Sequence, residues 1–526
     1  MSKLGVYTAF DVQGSGGDVS FTNAAAGASL SIENGNGHGI TLQLADTTGA
    51  SDSVGLTLGN STTPGHYYSA VTLEDANFDG VATVNLVSEG STAQTVNGLG
   101  RLHDDNLVTL NISGNAALDM LNPITTGSSS FTLNDTSTSA ISSALIAEIS
   151  DNNLTQMRFD GTAPVIIVQL NTTSNVLSIT DSDTAAVLVS GYAGGSLSSL
   201  TSLTIDQTSS AATASFTIGP GINEANLATL DLSGNVGINV HLDTVSTGIT
   251  VNAGGDNATV YFEALGGDTQ AGKTDTATVG NGNGDTVTLG AGAAGSTQTV
   301  VMGDGANDLA YTLTSGTYNA TLGSSTSGTD QVIALHASVF NVTAGNGTNF
   351  IYSGGAGAQT TVSVGGGSNT IQTVTGAFGT ITLAAHSAST VDALTIGASG
   401  TSLTAIEKIT GLNNAGADLI QFADNNALAG VTQVTQANVV GAGGDTTLLA
   451  DWVAAADGKA GSGITGTGHD VVWFQYQGNT YLLESVAGQS TDLGTMQAGN
   501  TLLELSGTGY TFAKATGAGG VLHLLG

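Results

Sequence analysis

The sequence lacks cysteine and has very few basic residues. Its 526 residues include 7 Lys and Arg against 41 Asp and Glu, which gives a formal net charge of −34. Without cysteine the chain has neither disulfides nor thiolate metal sites. So acidic a chain repels phosphate groups, which excludes nucleic-acid binding and docking to a membrane through a basic patch, and favours binding to cations. No apolar run approaches the roughly 18 residues of a membrane-spanning helix, so no transmembrane segment is predicted.

Residues that support catalysis are also scarce. There are two arginines, and the eight histidines show no HExxH spacing. His103, Asp104 and Asp105 are the one candidate acid–base site that the sequence offers, but we favour a solvated turn for this segment. We therefore predict that the protein is not an enzyme. A polysaccharide-active β-helix enzyme remains the third alternative, and it would need an acid and base cluster on one face.

Short alternating apolar strands recur along the chain and are followed by Gly, Asn or Asp turns. Their central residues, from Leu110 to Leu383, are 19 to 28 residues apart. This period predicts an all-β fold, a parallel β-solenoid with coils of about 20–23 residues. An immunoglobulin-like sandwich remains open for residues 100–250. Residues 1–100 are predicted to be an N-terminal β domain or solenoid cap, and residues 101–390 the solenoid.

The pattern changes in residues 391–526, for which we predict a separate C-terminal module. The segment TTLLADWVAAADG predicts a short helix capped by Thr446 or Thr447. Leu448, Leu449, Trp452 and Val453 are expected on its buried face. Two aromatic strands, VVWFQYQG and TYLLESV, follow this helix.

Four loops between residues 251 and 370 share glycines followed by Asp or Asn and then an apolar strand: GNGNGDTVTL, GDGANDLAYTL, GTDQVIAL and GNGTNFIY. Glycine lets backbone carbonyls turn inward, and Ca²⁺ takes six to eight oxygen ligands. One acid per coil would form a column of carboxylates that repel one another, and a bound cation would relieve this repulsion. The alternative is that these residues serve only to form turns. The predicted ligands are Asp285, Asp304, Asp308 and Asp330, assisted by Asn283, Asn307 and Asn349, with Asp256 upstream and the uncharged Asn369 downstream.

A separate candidate calcium turn is formed by Asp75, Asn77 and Asp79, which match the first half of an EF-hand-type loop. The twelfth position is Leu86 where an EF-hand has glutamate, and the flanks are strands, so an EF-hand is excluded. Asp181 and Asp183 are expected in an exposed turn.

The loops GNGNGDTVTL and GDGANDLAYTL resemble the calcium-binding nonapeptide of RTX proteins. The C-terminal segments ITGLNNAGADLIQFAD, TLLADWVAAADG and VVWFQYQGNTYLLES are similar to those of RTX-type bacterial surface-layer proteins. This resemblance covers residues 230–526. It implies a Ca²⁺-dependent fold, type I secretion through an uncleaved C-terminal signal, and a lattice on a Gram-negative cell. It also explains an extracellular composition without an N-terminal signal peptide.

The sequence thus predicts a structural protein that binds other copies of itself in a calcium-dependent surface layer. Lipopolysaccharide or the outer-membrane surface is the expected anchor. A secreted RTX-type adhesin or biofilm-matrix protein is the first alternative.

Overall fold

The computed structural model describes residues 7–45, 52–62, 64–92, 95–139, 144–190, 195–234, 237–242, 248–254, 258–262, 273–290, 295–306, 308–325, 327–387, 389–413, 418–424, 428–461, 469–485, 496, 499–514 and 521–525. The protein is all-β, with 53% strand, 4% helix and a parallel β-solenoid of about 16 turns. The predicted fold class is therefore confirmed. Two compact units, Met1–Leu265 and Gly266–Gly526, divide the chain.

The first unit consists of short strands joined by tight turns. In chain order they are β1 Tyr7–Val12, β2 Val19–Ile32, β3 Asn36–Leu44, β4 Ser53–Leu58, β5 Tyr67–Glu74, β6 Thr83–Ser88, β7 Val96–His103, β8 Thr109–Gly114, β9 Ala117–Met120, β10 Ser130–Asp135, β11 Ala144–Ile146, β12 Ile149–Ser150, β13 Gln156–Gly161, β14 Val165–Ile167, β15 Leu170–Asn171, β16 Val176–Asp181, β17 Ala186–Val189, β18 Ser202–Gln207, β19 Ser215–Ile218, β20 Thr229–Gly234, β21 Ile238–His241, β22 Thr250–Ala253 and β23 Ala258–Phe262.

Two parallel ladders run through this unit. One contains β2, β4, β6, β8, β10, β13, β16, β18, β20 and β22. The other contains β3, β5, β7, β9, β11, β14, β17, β19, β21 and β23. Because β1 to β7 take part in the same parallel pairing as the later strands, the described residues between 7 and 103 form solenoid coils. The parallel ladders also continue through residues 100–250, which excludes an immunoglobulin-like sandwich there.

Side-chain alternation explains why these segments form coils. In β18, Leu203 and Ile205 are fully buried, and Thr204 between them faces outward. They pair with Leu230 and Leu232 of the next coil. Because a strand has a period of two, every second side chain points inward. Each inward apolar residue stacks on its equivalent in the neighbouring coil. These stacks form the core.

The second unit repeats this arrangement and adds helices and a terminal sheet. Its elements are β24 Thr274–Val279, β25 Thr286–Leu289, β26 Thr297–Val301, β27 Leu309–Thr312, β28 Thr317–Leu322, β29 Thr329–Ala334, β30 Val339–Ala344, β31 Thr348–Ser353, β32 Gln359–Val364, β33 Asn369–Thr373, β34 Phe378–Leu383, β35 Ala393–Ile396, β36 Glu407–Thr410, β37 Leu419–Phe422, β38 Leu428–Gln433, α1 Gln436–Gly441, α2 Leu449–Gly461, β39 His469–Tyr476, β40 Asn479–Ser485, β41 Thr501–Leu505, β42 Thr511–Lys514 and β43 Val521–Leu525.

The coils of the second unit extend beyond residue 390. The even-numbered strands β24 to β36 form one parallel ladder, and the odd-numbered strands β25 to β37 form the other. The terminal sheet joins the last coil where β36 pairs with β41 in parallel and β37 pairs with β43 antiparallel. The C-terminal strands thus continue the sheet of the solenoid.

Helix α2 lies where the sequence predicts a helix. Trp452 and Val453 are buried against the terminal sheet, and the Trp452 ring stacks on Phe474 with centroids 5.6 Å apart. Leu448 was expected on the buried face, but it precedes the helix and is 52% exposed. The shorter helix α1 has no counterpart in the sequence prediction. Neither helix is long and apolar enough to cross a membrane.

Candidate metal centre

In the described coils of the second unit, a polar side chain is buried at or directly before the beginning of each odd-numbered strand from β25 to β37. Each is 0–2% exposed, and Asp285 and Asp308 come directly before β25 and β27. Register pairs Asp330 with Asn349, and Asn349 with Asn369. We call this set the polar column: Asp285, Asp308, Asp330, Asn349, Asn369, Asp392 and Asp418.

Side-chain oxygens of the polar column bind backbone N–H groups of the preceding coil. The amide of Asp285 donates to Asp308 Oδ1 at 3.1 Å, and the amide of Asp308 donates to Asp330 Oδ1 at 3.2 Å. Further along, Asn349 Nδ2 donates to Asn369 Oδ1 at 2.7 Å. These three hydrogen bonds therefore join adjacent coils through polar groups whose burial would otherwise be unfavourable.

The acidic end of the column has an electrostatic cost. Burial raises the pKa of Asp308 to about 6, and the carboxylates of Asp285 and Asp330 add to this rise. The N–H groups of Asp285 and Gly284 oppose it. Like charges in a desolvated site disfavour the ionised form, so a bound cation would stabilise these three carboxylates.

Glycines in the loops permit the close stacking of coils beside these acids. A Cβ at Gly305 would collide with the carbonyl oxygen of Gly282 and with Asp308 Oδ2. A Cβ at Gly323 would collide with the carbonyl oxygen of Gly303. Gly305 and Gly323 thus leave room for oxygen atoms, the ligand atoms that Ca²⁺ prefers.

Asp304 belongs to a different set of residues from its neighbour Asp308. It is exposed, and its carboxylate accepts the amide of Ser324 at 2.6 Å, while its own amide donates to Asn281 Oδ1 at 2.9 Å. The half-buried Ser324 and the exposed Asn346 continue this series of hydrogen bonds. We call Asn281, Asp304, Ser324 and Asn346 the outer column.

The remaining predicted ligands of the column are placed as follows. Asn283 is exposed in its loop, and Asn349 is buried in the polar column. Asp256 and Asn307 lie outside the described residues. The structure therefore separates the predicted ligands into a buried group and an exposed group within the same loops.

The Asp75 loop is organised by one carboxylate. Asp75 is 1% exposed, and its Oδ1 accepts the amides of Asn77 at 2.7 Å and Asp79 at 3.0 Å. Asn77 and Asp79 are exposed, and Phe78 adopts a φ of 68°. This is the geometry of an Asx turn, in which an aspartate binds backbone two residues further on. The hydrogen bonds of this turn thus account for the buried carboxylate of Asp75.

Several acids that the sequence assigned to exposed turns are buried. Asp181 and Asp183 are 0% exposed, so the expected exposed turn is wrong. Burial raises the pKa of Asp181 to about 7 and that of Asp183 to about 6. Asp104, expected in a solvated turn, is 2% exposed, and burial raises its pKa to about 7. In contrast, the side chain of Asp105 is 61% exposed.

Asp392 and Asp418 are column residues that the sequence analysis did not identify. Asp392 donates its amide to Asp418 Oδ1 at 3.0 Å and accepts from Asn369 Nδ2 at 2.8 Å. Their sequence signal is the same as that of Asp285, an aspartate directly before an alternating strand, in VDALTI and ADLIQF. No glycine occurs in the eight residues before Asp392, and a single glycine, Gly416, lies close before Asp418, so neither segment has the repeated glycines of GNGNGD or GDGAND.

Comparison of the chain with models of known protein families found no match. Comparison with curated proteins found no similar sequence either.

Proposed function

We propose that this protein is a structural protein that assembles with copies of itself into a calcium-dependent layer on a Gram-negative cell. Export is by type I secretion, with the C-terminal region as the signal and lipopolysaccharide as the anchor. The sequence resemblance suggests this role, and the arrangement of acids in the second unit supports its calcium dependence.

The polar column is the observation that carries the proposal. Asp285, Asp308 and Asp330 are stacked at successive coils, where their mutual repulsion disfavours the ionised state. Carbonyl and carboxylate oxygens converge beside them at Gly305. Binding of Ca²⁺ to the folded state alone would stabilise that state by mass action. At low internal calcium the chain would thus remain poorly folded for export and would fold outside the cell.

The coil faces offer surfaces suited to repeated contacts. On the first unit, Asn111 Nδ2 donates to Asn85 Oδ1 at 2.8 Å, and Asn134 Nδ2 donates to Asn111 Oδ1 at 3.4 Å. On the second unit, Asn341 Nδ2 donates to Asn319 Oδ1 at 2.9 Å. Side chains already ordered in such ladders lose little entropy on association. A lattice needs several contacts of this kind that propagate without closing.

Treatment of intact cells with a calcium chelator tests the proposal. We expect the protein to leave the cell surface as soluble chains, and added Ca²⁺, but not Mg²⁺, to return it. Mg²⁺ is the matched control because it has the same charge but requires smaller, near-octahedral sites. A protein that remains on the cell in chelator, or stays soluble after calcium is restored, would contradict the proposal.

A further inference from the structure

The polar column ends at a group of three side chains that differs from the calcium-type loops. His386 Nε2 lies 3.2 Å from Asp392 Oδ2 and 3.2 Å from Asp418 Oδ1. The side chain of His386 is 1% exposed, and those of the two aspartates are 0% exposed. All three can present one ligand atom within 4.8 Å of the others.

Two of these atoms have no hydrogen-bond partner. His386 Nε2 and Asp392 Oδ2 are buried without one, despite their close approach. The other oxygens are engaged, since Asp392 Oδ1 accepts from Asn369, and Asp418 Oδ2 accepts the amide of Asn413 at 2.7 Å. Buried polar atoms are ordinarily paired, so the two that remain indicate a ligand between the imidazole and the carboxylates.

The opposite side of the imidazole is held in the manner of a metal ligand. His386 Nδ1 lies 2.9 Å from Thr390 Oγ1 and 3.2 Å from the carbonyl oxygen of Ser387. The Thr390 hydroxyl donates to the Ser387 carbonyl at 2.9 Å, so its oxygen is left to accept a hydrogen from Nδ1. With the hydrogen on Nδ1, Nε2 is unprotonated and directs its lone pair at the two carboxylates. Metal-binding histidines are commonly fixed in this way by their second nitrogen.

Distance and charge identify the class of metal. A tetrahedral Zn²⁺ with bonds of about 2.0 Å holds its ligand atoms about 3.3 Å apart, close to the two observed separations. Imidazole with carboxylates suits Zn²⁺ and similar first-row ions, whereas Ca²⁺ takes oxygen ligands. Two buried carboxylates also carry the charge that a divalent ion neutralises.

We infer that His386, Asp392 and Asp418 form a binding site for Zn²⁺ or a similar first-row divalent metal, separate from the calcium loops. The alternative occupant of the space is a proton, which would make His386 an imidazolium ion paired with both aspartates. Burial lowers the pKa of His386, but the Ser387 carbonyl and the two carboxylates raise it above its ordinary value. The metal would displace that proton, and the site does not depend on the surface-layer proposal.

Zinc titration of full-length, chelator-stripped protein tests the site. Millimolar Ca²⁺ is kept present to saturate the oxygen-only sites, and bound Zn²⁺ is measured by calorimetry and elemental analysis. We expect one tightly bound Zn²⁺ per chain, which His386→Gln and Asp392→Asn both lose. His336→Gln is the matched control because His336 is exposed in the same unit, and it should retain the ion. Equal zinc binding by all variants, or none by the wild type, would overturn the inference.

Two measurements keep the test decisive if the ligand variants fold poorly. Thr390→Val leaves all three ligands in place and removes the shorter of the two Nδ1 contacts, while the one to the Ser387 carbonyl remains. It should weaken Zn²⁺ binding about 10- to 100-fold. X-ray absorption at the zinc edge of the wild-type protein should show imidazole scattering in a first shell of nitrogen and oxygen. An oxygen-only shell, or unchanged affinity in Thr390→Val, would overturn the inference.

Discussion

Replacing Asp308 with asparagine separates two roles of this carboxylate, as a hydrogen-bond acceptor and as a charge. The amides of Gly284 and Asp285 donate to its Oδ1, and an asparagine oxygen can accept the same bonds. Asn349 and Asn369 already occupy equivalent positions in the polar column. Asp308→Asn should therefore keep these hydrogen bonds and remove only the charge.

The expected magnitude follows from the pKa of Asp308. A rise from 3.8 to about 6 corresponds to roughly 3 kcal/mol against the ionised folded state at neutral pH. Without calcium, Asp308→Asn should raise the free energy of unfolding by up to this amount. With calcium, the variant lacks a carboxylate ligand, so Ca²⁺ should stabilise it less than it stabilises the wild type.

Chemical denaturation followed by circular dichroism, in chelator and in millimolar Ca²⁺, measures both effects. Asp105→Asn is the control because the Asp105 side chain is exposed, and it should change neither value appreciably. Two results would refute the assignment of calcium to the polar column. One is a lower free energy of unfolding for Asp308→Asn than for the wild type in chelator, and the other is equal stabilisation of both proteins by Ca²⁺.

Three further predictions concern packing, pH and export. Gly305→Ala should lower the free energy of unfolding by about 1–3 kcal/mol, because its Cβ would collide with the Gly282 carbonyl oxygen of the adjacent coil and with Asp308 Oδ2. Gly254→Ala, which has open space around it, should leave this free energy nearly unchanged. Equal effects of the two variants in thermal or denaturant unfolding would contradict the close stacking of coils. Asp104 and Asp181 have folded pKa values of about 7, above the usual 3.8, so the folded state binds more protons than the unfolded state between these values. Stability in chelator should therefore fall as pH rises from 4 to 7 and level off above 7, and unfolding curves that show greater stability at pH 7 than at pH 5 would contradict this. Deletion of residues 469–526 should retain the protein inside the cell, as measured by immunoblotting of cells and medium, and normal secretion would remove the export signal from this region.

Periodicity was sufficient to predict the solenoid but not its register everywhere. Leu203 and Leu230, one repeat apart in the sequence, are paired in the structure. In β26, in contrast, Val300 is buried and Val301 faces outward. A slip of one residue exchanges the two faces of a strand, and in TQTVVM three consecutive apolar residues leave the face ambiguous.

The chemistry of the polar column was only partly predictable. Spacing placed Asp285, Asp308 and Asp330 one coil apart, but the sequence does not show whether the side chain of a turn residue enters the core. Asp304 and Asp308 lie in the same loop, and one is exposed while the other is buried. The approach of His386 to Asp418 depends on the path of an intervening coil, which no local pattern records.

Negative-stain electron microscopy of the purified full-length protein, with millimolar Ca²⁺ and with chelator, tests the central claim most directly. The account predicts ordered two-dimensional sheets in calcium that disperse into single particles on chelation and re-form when calcium is returned. Dispersed particles under both conditions, or sheets that persist in chelator, would contradict a calcium-dependent surface layer.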